Sequence, residues 1–161
     1  MVNDLEDRGA WTLENCSVAN ALDVIGNRIS LLLLREAFLG TRRFDDFAAR
    51  VEVSEPAAAK RLGELTAAGL LERVRYQEPG QRTRFEYRLT DKGRDLLPVV
   101  TALRDWGDRW ASGPEGPPFR ALHKSCGTTV RAEVRCERGH RVGRGEIRLE
   151  RTATSQESQG R

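Results

Sequence analysis

SEPAAAKRLGELTAAGLLERV, residues 54–74, carries the clearest fold signal in this chain. Ser54 is a typical N-cap residue, and the proline two positions later is tolerated in the first turn of a helix. Apolar side chains then recur at helical spacing as far as Gly69, a residue type that commonly ends helices. The pattern predicts a short, capped helix that buries one face and leaves Lys60 and Arg61 on the other.

Helical patterns also precede this stretch. Apolar residues recur at helical spacing over 17–25 and 28–39, and the second segment is apolar round most of its circumference, which predicts a central core helix. Residues 43–51 repeat the pattern and end a few positions before the helix that starts near Glu55. Two helices this close predict a helix-turn-helix, in which the second helix enters the major groove of DNA.

The sequence that follows predicts a hairpin and one long helix. Apolar and polar residues partly alternate over 70–77 and 83–90, and the intervening 78–82 contains a Pro-Gly turn signal. Residues 91–111 carry an apolar stripe at helical spacing, with Pro98 expected only to kink the helix. The expected fold class is mainly α with a small β-hairpin wing (α+β), a winged helix-turn-helix.

Composition limits the remaining classes of protein. Residues 1–118 carry 17 basic and 19 acidic side chains, and residues 119–161 carry 10 and 5, so DNA binding by the main domain would rest on a local stripe of cations. No apolar run approaches the roughly 18 residues of a membrane span, and no export leader is visible. We expect a cytoplasmic protein without a membrane partner. No catalytic grouping stands out, so we do not expect an enzyme.

The candidate DNA contacts follow from the expected geometry. The recognition helix would present its first turn and its basic outer face to the groove, the preceding helix would lie over the backbone, and the hairpin tip would reach the minor groove. The alternative is that these charged side chains lie on solvent-exposed helix faces and contact only water. The candidates are Ser54, Glu55, Ala57, Lys60 and Arg61 on the recognition helix, Arg42 and Arg43 before it, and Arg82 and Arg84 in the hairpin.

A family resemblance joins these motifs. GTRRF at 40–44, the RLGEL and GLLER pair within 61–73, YRLTDKG at 87–93 and LRDWG at 103–107 resemble the HxlR-type winged helix-turn-helix regulators of bacteria. The resemblance covers about Cys16–Trp110. It implies a transcriptional repressor that binds palindrome-like operators near its own or neighbouring genes as a homodimer. It also implies that the last helix forms the dimer interface, through Leu96, Val100, Leu103, Trp106 and Trp110.

A cysteine–histidine cluster follows the main domain. His123 and Cys126, then Cys136 and His140, form two close pairs of nitrogen and sulfur ligands, the set that a structural zinc site requires. Related regulators with C-terminal extensions more usually carry a C-x2-C pair, and Gly139 stands where the last cysteine is expected. The alternatives are a disordered or positively charged arm and a disulfide between the two cysteines.

The expected organisation ends with this cluster. The Pro/Gly-rich linker separates the main domain from a segment with β-like patterns and too few apolar residues to fold unaided, which predicts a small, metal-dependent, β-rich unit. The expected parts are an N-terminal arm at 1–15, a winged helix-turn-helix and dimerisation domain at 16–112, a linker at 113–118, the β-rich Cys/His segment at 119–150 and a disordered tail at 151–161.

Two functional questions stay open in the sequence. Cys16 matches a position at which several members of the family carry a redox-sensing cysteine, but no Lys or Arg is close in sequence, so an inert structural thiol is the alternative. The expected effector of the regulator is therefore a small molecule or, if Cys16 senses redox state, an oxidant. The alternative to a DNA-binding regulator is a winged-helix adaptor that binds a protein partner and carries a structural zinc segment.

Overall fold

The computed structural model describes residues 13–77, 80 and 82–149. Val18–Ala132 forms one compact unit, and the described residues 13–17 and 133–149 belong to a second. Most of the expected N-terminal arm and all of the expected tail at 151–161 lie outside the described residues. No single described helix is long and apolar enough to cross a membrane. The helices Ser17–Ile25 and Arg28–Phe38 together have the length and apolar content of a membrane span, but the chain bends by 79° between them.

The four helices predicted before the hairpin are all confirmed, with ends that differ by one or two residues. Asn27 begins the second of them, because its side-chain oxygen accepts hydrogen bonds from the backbone N–H groups of Ile29 at 2.9 Å and Ser30 at 3.4 Å. Ser54 occupies the N-cap position of the fourth helix but makes no side-chain capping hydrogen bond. The helices are α1 Ser17–Ile25, α2 Arg28–Phe38, α3 Phe44–Val51 and α4 Glu55–Ala67.

The predicted hairpin is also confirmed. Strands β1 (Leu71–Tyr76) and β2 (Arg84–Leu89) pair antiparallel, with Leu71 opposite Leu89. A third segment joins them that the sequence did not predict: Arg43 forms a β-bridge with Glu86, and the N–H of Tyr87 donates to the carbonyl of Arg42 at 2.8 Å. This bridge ties the start of α3 to the hairpin.

The single helix predicted over 91–111 is wrong. The chain instead forms α5 (Asp91–Arg94) and α6 (Leu97–Trp110). Pro98 has no N–H to donate to the carbonyl of Arg94, four residues earlier, and its ring would clash with that carbonyl in a continuous helix. The helix therefore ends at Arg94 and restarts with Pro98 in the first turn of α6.

The core lies between α2, α3, α4 and the hairpin. Phe47 is fully buried, and its ring meets that of Tyr87 edge to face at a centroid distance of 6.0 Å. The prediction that α2 is central is confirmed, because Leu33 and Leu34 are completely buried. The other large side chains that are fully buried are Leu62, Leu65 and Leu71.

The expectation of a β-rich segment at 119–150 is wrong for its described residues, 119–149. They contain no strand and only two isolated bridges, Leu122 with Thr129 and Arg135 with Arg141. Almost every side chain here is exposed, including Val134 at 62%. Paired strands need a packed apolar face to be stable, and the apolar side chains of this segment, such as Leu122 and Ile147, are exposed.

The part of this segment within the first unit is fastened to α6. The Arg104 guanidinium donates to the carbonyl of Val130 at 2.7 Å, and the N–H of Ala132 donates to the Asp105 carboxylate at 2.7 Å. Burial opposes the ionisation of Asp105, but its hydrogen bonds with Arg104 and Ala132 outweigh that effect and lower its pKa.

Candidate nucleic-acid interface

Helix α4 presents the basic outer face that the sequence predicts. Its inner side chains, Ala58, Leu62 and Leu65, are at most 1% exposed. Lys60 is exposed, and no hydrogen bond or ion pair holds it among the described residues. Arg61 is half-buried and pairs with Glu64 at 2.6 Å, so its guanidinium has an internal partner that DNA would have to displace.

The first turn of α4 is open to solvent. Ser54 and Glu55 are exposed and Ala57 is half-buried, so all three predicted positions lie at the accessible start of the helix. The small side chain of Ala57 leaves room for a close approach by another molecule. This end of α4 has the shape that a recognition helix needs in order to place its N-terminal residues against base edges.

The two predicted backbone contacts before α3 have different surroundings. The Arg42 guanidinium donates to the carbonyls of Ala37 and Thr41, both at 3.0 Å, and so closes the end of α2. Arg43 is exposed, and its guanidinium lies 5.4 Å from the ring centre of Tyr76 on the hairpin. Of this pair, Arg43 is the more exposed.

The hairpin carries the cations predicted there and two that sequence reasoning missed. Arg82 and Arg84 are exposed, and in the described part of the chain neither has a hydrogen bond or ion pair. Arg73 and Arg75 place their guanidiniums 4.2 Å and 5.8 Å from the ring centre of Phe85. Only the register of the strands, which sets Arg75 opposite Phe85, could have revealed this cluster.

A buried carboxylate holds the turn between α2 and α3. Glu36 is 5% exposed and accepts hydrogen bonds from Arg35 at 2.8 Å and from the Thr41 hydroxyl at 3.2 Å. Arg50 of α3 lies 3.8 Å from the same carboxylate. These contacts fix the position of the helix-turn-helix on the core helix. The signal for them in the sequence was one acidic residue in a helix that is apolar round most of its circumference.

Helix α6 carries the predicted dimer residues. Leu103, Trp106 and Trp110 are 50%, 62% and 65% exposed. Leu96, just before the helix, packs partly against the core, and Val100 is half-buried. The helix therefore has an uncovered apolar side, which is unusual in a helix that faces only water.

The predicted metal ligands lie in two local pairs. His123 Nδ1 lies 3.2 Å from Cys126 Sγ, and hydrogen bonds from Thr128 and then His123 lower the pKa of the exposed Cys126 thiol to about 7. The N–H of Cys136 donates to the carbonyl of His140 at 3.1 Å. Among the described residues, no group of three or more His, Cys, Asp or Glu is arranged to hold a metal ion. The zinc site stays a prediction.

Cys16 belongs to the second unit. It is half-buried, with its N–H donating to the carbonyl of Leu13 at 3.1 Å. All three cysteines are free thiols, so the predicted alternative of a Cys126–Cys136 disulfide is not formed in this structure.

Sequence comparisons identify the family of the chain. A sequence profile described as HxlR-like helix-turn-helix matches residues 24–114. The HTH-type transcriptional regulator Rv3095 of Mycobacterium tuberculosis is 41% identical over 135 residues, which cover 84% of this chain and 82% of the relative.

Two solved structures share the fold. The crystal structure of PA1607, a transcription-factor candidate, superposes with a TM-score of 0.76 and 35% identity over 86% of this chain and 96% of its own. The redox regulator HypR in its reduced form superposes with a TM-score of 0.53 and 30% identity over 58% of this chain and 92% of its own.

Proposed function

Because the chain belongs to the HxlR-like helix-turn-helix family of transcriptional regulators, and not to a family of enzymes, we propose that it is a sequence-specific repressor acting as a homodimer on a palindrome-like operator. The observation that carries this proposal is the outer face of α4, where exposed Lys60 and the open first turn stand opposite a fully buried inner face. A recognition helix requires this division of one helix into a core face and a polar reading face.

The α6 surface supports the homodimer. A second copy would cover Leu103, Trp106 and Trp110, which are at least 50% exposed in the single chain. Each large aromatic side chain removed from water contributes stabilisation in proportion to the apolar area that it buries. A two-fold dimer would place its two recognition helices on half-sites about one helical turn, ~34 Å, apart.

A mobility-shift assay on the DNA upstream of the chain's own gene tests DNA binding. We expect a shift that weakens by orders of magnitude from low to moderate salt, because each phosphate contact releases counterions. The double variant Lys60→Ala/Arg61→Ala should lose it. The control Arg120→Ala/Lys124→Ala removes the same charges from exposed positions outside α4 and should keep it.

Equal shifts for the Lys60/Arg61 variant and the wild type would contradict the recognition helix. No salt-dependent shift at all would favour the winged-helix adaptor that binds protein instead. A reporter gene downstream of the same DNA tests repression: its expression should rise when the regulator is removed and fall when the regulator is restored.

The same assay tests a redox effector. HypR is described as a redox regulator, and Cys16 is the thiol of this chain that the family resemblance assigns to sensing. If Cys16 senses oxidants, diamide will release DNA from the wild type and not from Cys16→Ser. Equal release from both proteins would leave Cys16 with only a structural role.

A further inference from the structure

A cleft opens between the first turn of α3 and the hairpin. Its volume is about 480 Å3, and Arg43 and Arg84, both expected to contact DNA, stand on its walls. Because the β-bridge between Arg43 and Glu86 joins these walls, the cleft is part of the folded domain and not a gap beside a loose loop. It therefore lies between two elements of the proposed DNA-binding surface.

Arg73 is the third arginine of this cleft, and its guanidinium is held in place. It lies 4.2 Å from the ring centre of Phe85, and among the described residues no hydrogen bond or ion pair occupies its donors. Stacking on a ring fixes the plane of a guanidinium while leaving the N–H groups at its edge free to donate. Because the Arg73 side chain is already ordered by this stacking, it loses little further conformational entropy when it binds an acceptor.

The cleft offers arginine donors to an anion. Arg73 and Arg84 of the hairpin line it, together with Arg43 and two aspartates of α3, Asp45 and Asp46. A phosphodiester group carries one negative charge, and its oxygens match the forked donors of arginine.

We propose that this cleft receives one phosphate of the DNA backbone, with Arg73 and Arg84 as its donors. The site rests on the proposed DNA-binding function and adds a contact that the helix-turn-helix pattern did not assign. Because a phosphate contact carries no sequence information, Arg73 would position the duplex beside the hairpin without selecting bases.

The test measures DNA affinity against salt for Arg73→Gln, using the upstream fragment and a random-sequence duplex of the same length. We expect Arg73→Gln to weaken binding to both duplexes by a similar factor and to lower the slope of log K against log salt by about 1. Arg73→Lys keeps the charge and should restore the slope. Thermal unfolding of each variant checks that it folds.

Arg75→Gln is the matched control. Arg75 stands on the same strand and faces the same ring at 5.8 Å, but does not line the cleft, so its loss should leave the slope near the wild-type value. An unchanged slope for Arg73→Gln, or an equal change for Arg75→Gln, would overturn the phosphate site while leaving DNA binding intact. A wild type that binds neither duplex would overturn the proposed function and this site with it.

Discussion

At the scale of single residues, the two cations at the centre of α4 are not equivalent. Lys60 has no internal partner among the described residues, whereas Arg61 donates to Glu64 at 2.6 Å. DNA must compete with that carboxylate for Arg61, and the carboxylate itself repels phosphate. The sequence places both cations on one face, but only the side-chain contacts show that one of them is already engaged.

We therefore expect Glu64→Gln to tighten DNA binding. The change frees Arg61 and removes a negative charge from the reading face, and exposed ion pairs of this kind are worth up to about 1 kcal/mol. The mobility-shift affinity should rise several-fold. Glu72→Gln, an exposed acid of β1, is the control for general charge, and an equal gain there would contradict a specific role for Glu64.

The thiol of Cys126 gives a second prediction at this scale. Hydrogen bonds from Thr128 and His123 lower its pKa to about 7. Because the thiolate is the reactive form, iodoacetamide should alkylate Cys126 of chelator-treated protein at a rate that rises as the pH increases through about 7. Thr128→Val removes the hydroxyl donor and should move this rise to higher pH. Peptide mass mapping identifies the alkylated residue, and an unchanged profile in Thr128→Val would contradict the hydrogen bond.

At the scale of elements, two helix starts that look alike in sequence differ in the structure. Asn27 caps α2 with hydrogen bonds to two backbone N–H groups, whereas Ser54 stands at the N-cap of α4 without one. Residue type alone predicts a cap at both positions. Asn27 bonds the N–H groups of the second and third residues of α2, whereas the second residue of α4 is Pro56, which has no N–H to donate to Ser54.

Asn27→Ala should therefore cost more stability than Ser54→Ala. Removing a side chain that caps a helix typically costs about 1 kcal/mol of folding free energy. Removing Ser54, which makes no capping hydrogen bond, should cost only a few tenths of that. Urea unfolding of the two variants gives the comparison directly. Equal losses of stability in the two variants would contradict this prediction and would show that Ser54 caps α4 in solution.

At the scale of the whole molecule, the apolar side of α6 predicts a dimer. Leu103→Glu with Trp106→Glu should convert the dimer to a monomer, since burying two carboxylates without partners in an apolar interface costs several kcal/mol. Light scattering after gel filtration measures the mass. Leu122→Glu is the control, because Leu122 is also 51% exposed but lies outside α6. A wild type that is monomeric at all concentrations would contradict the homodimer.

Zinc is the second prediction for the whole chain. The two Cys/His pairs of the sequence predict about one zinc per chain, bound through two nitrogens and two sulfurs. Metal analysis of the purified protein checks this, with Cys136→Ser as the variant expected to lose the metal. Less than roughly a tenth of an equivalent in protein with intact thiols would rule out a structural site, because such sites bind tightly at neutral pH.

Local patterns in the sequence predicted most of the elements and the buried faces of α2 and α4, whereas Val18 and Leu22 of α1 remain exposed. Capping residues, apolar spacing and the Pro-Gly turn located α1 to α4 and both strands, and the basic positions of α4 followed from the same spacing. These are local properties, since helix and strand periodicity are set by neighbours within a few residues. The local pattern was misleading at Pro98, where it predicted a kinked but continuous helix. The structure has two helices there, α5 and α6.

Which charges are available and which are engaged became clear from the side-chain contacts of the folded chain. Arg42 closes the end of α2, Arg61 pairs with Glu64, and Arg73 stacks on Phe85, a partner twelve positions away that strand register brings into reach. Residues 119–149 form turns, irregular segments and two isolated bridges instead of the expected strands. Arg42 and Arg61 have partners one to five positions away, but periodicity shows only the face of a side chain and not the group that it contacts. The contact of Arg73 depends on strand pairing, which brings a more distant segment beside it, and periodicity carries no information about that pairing.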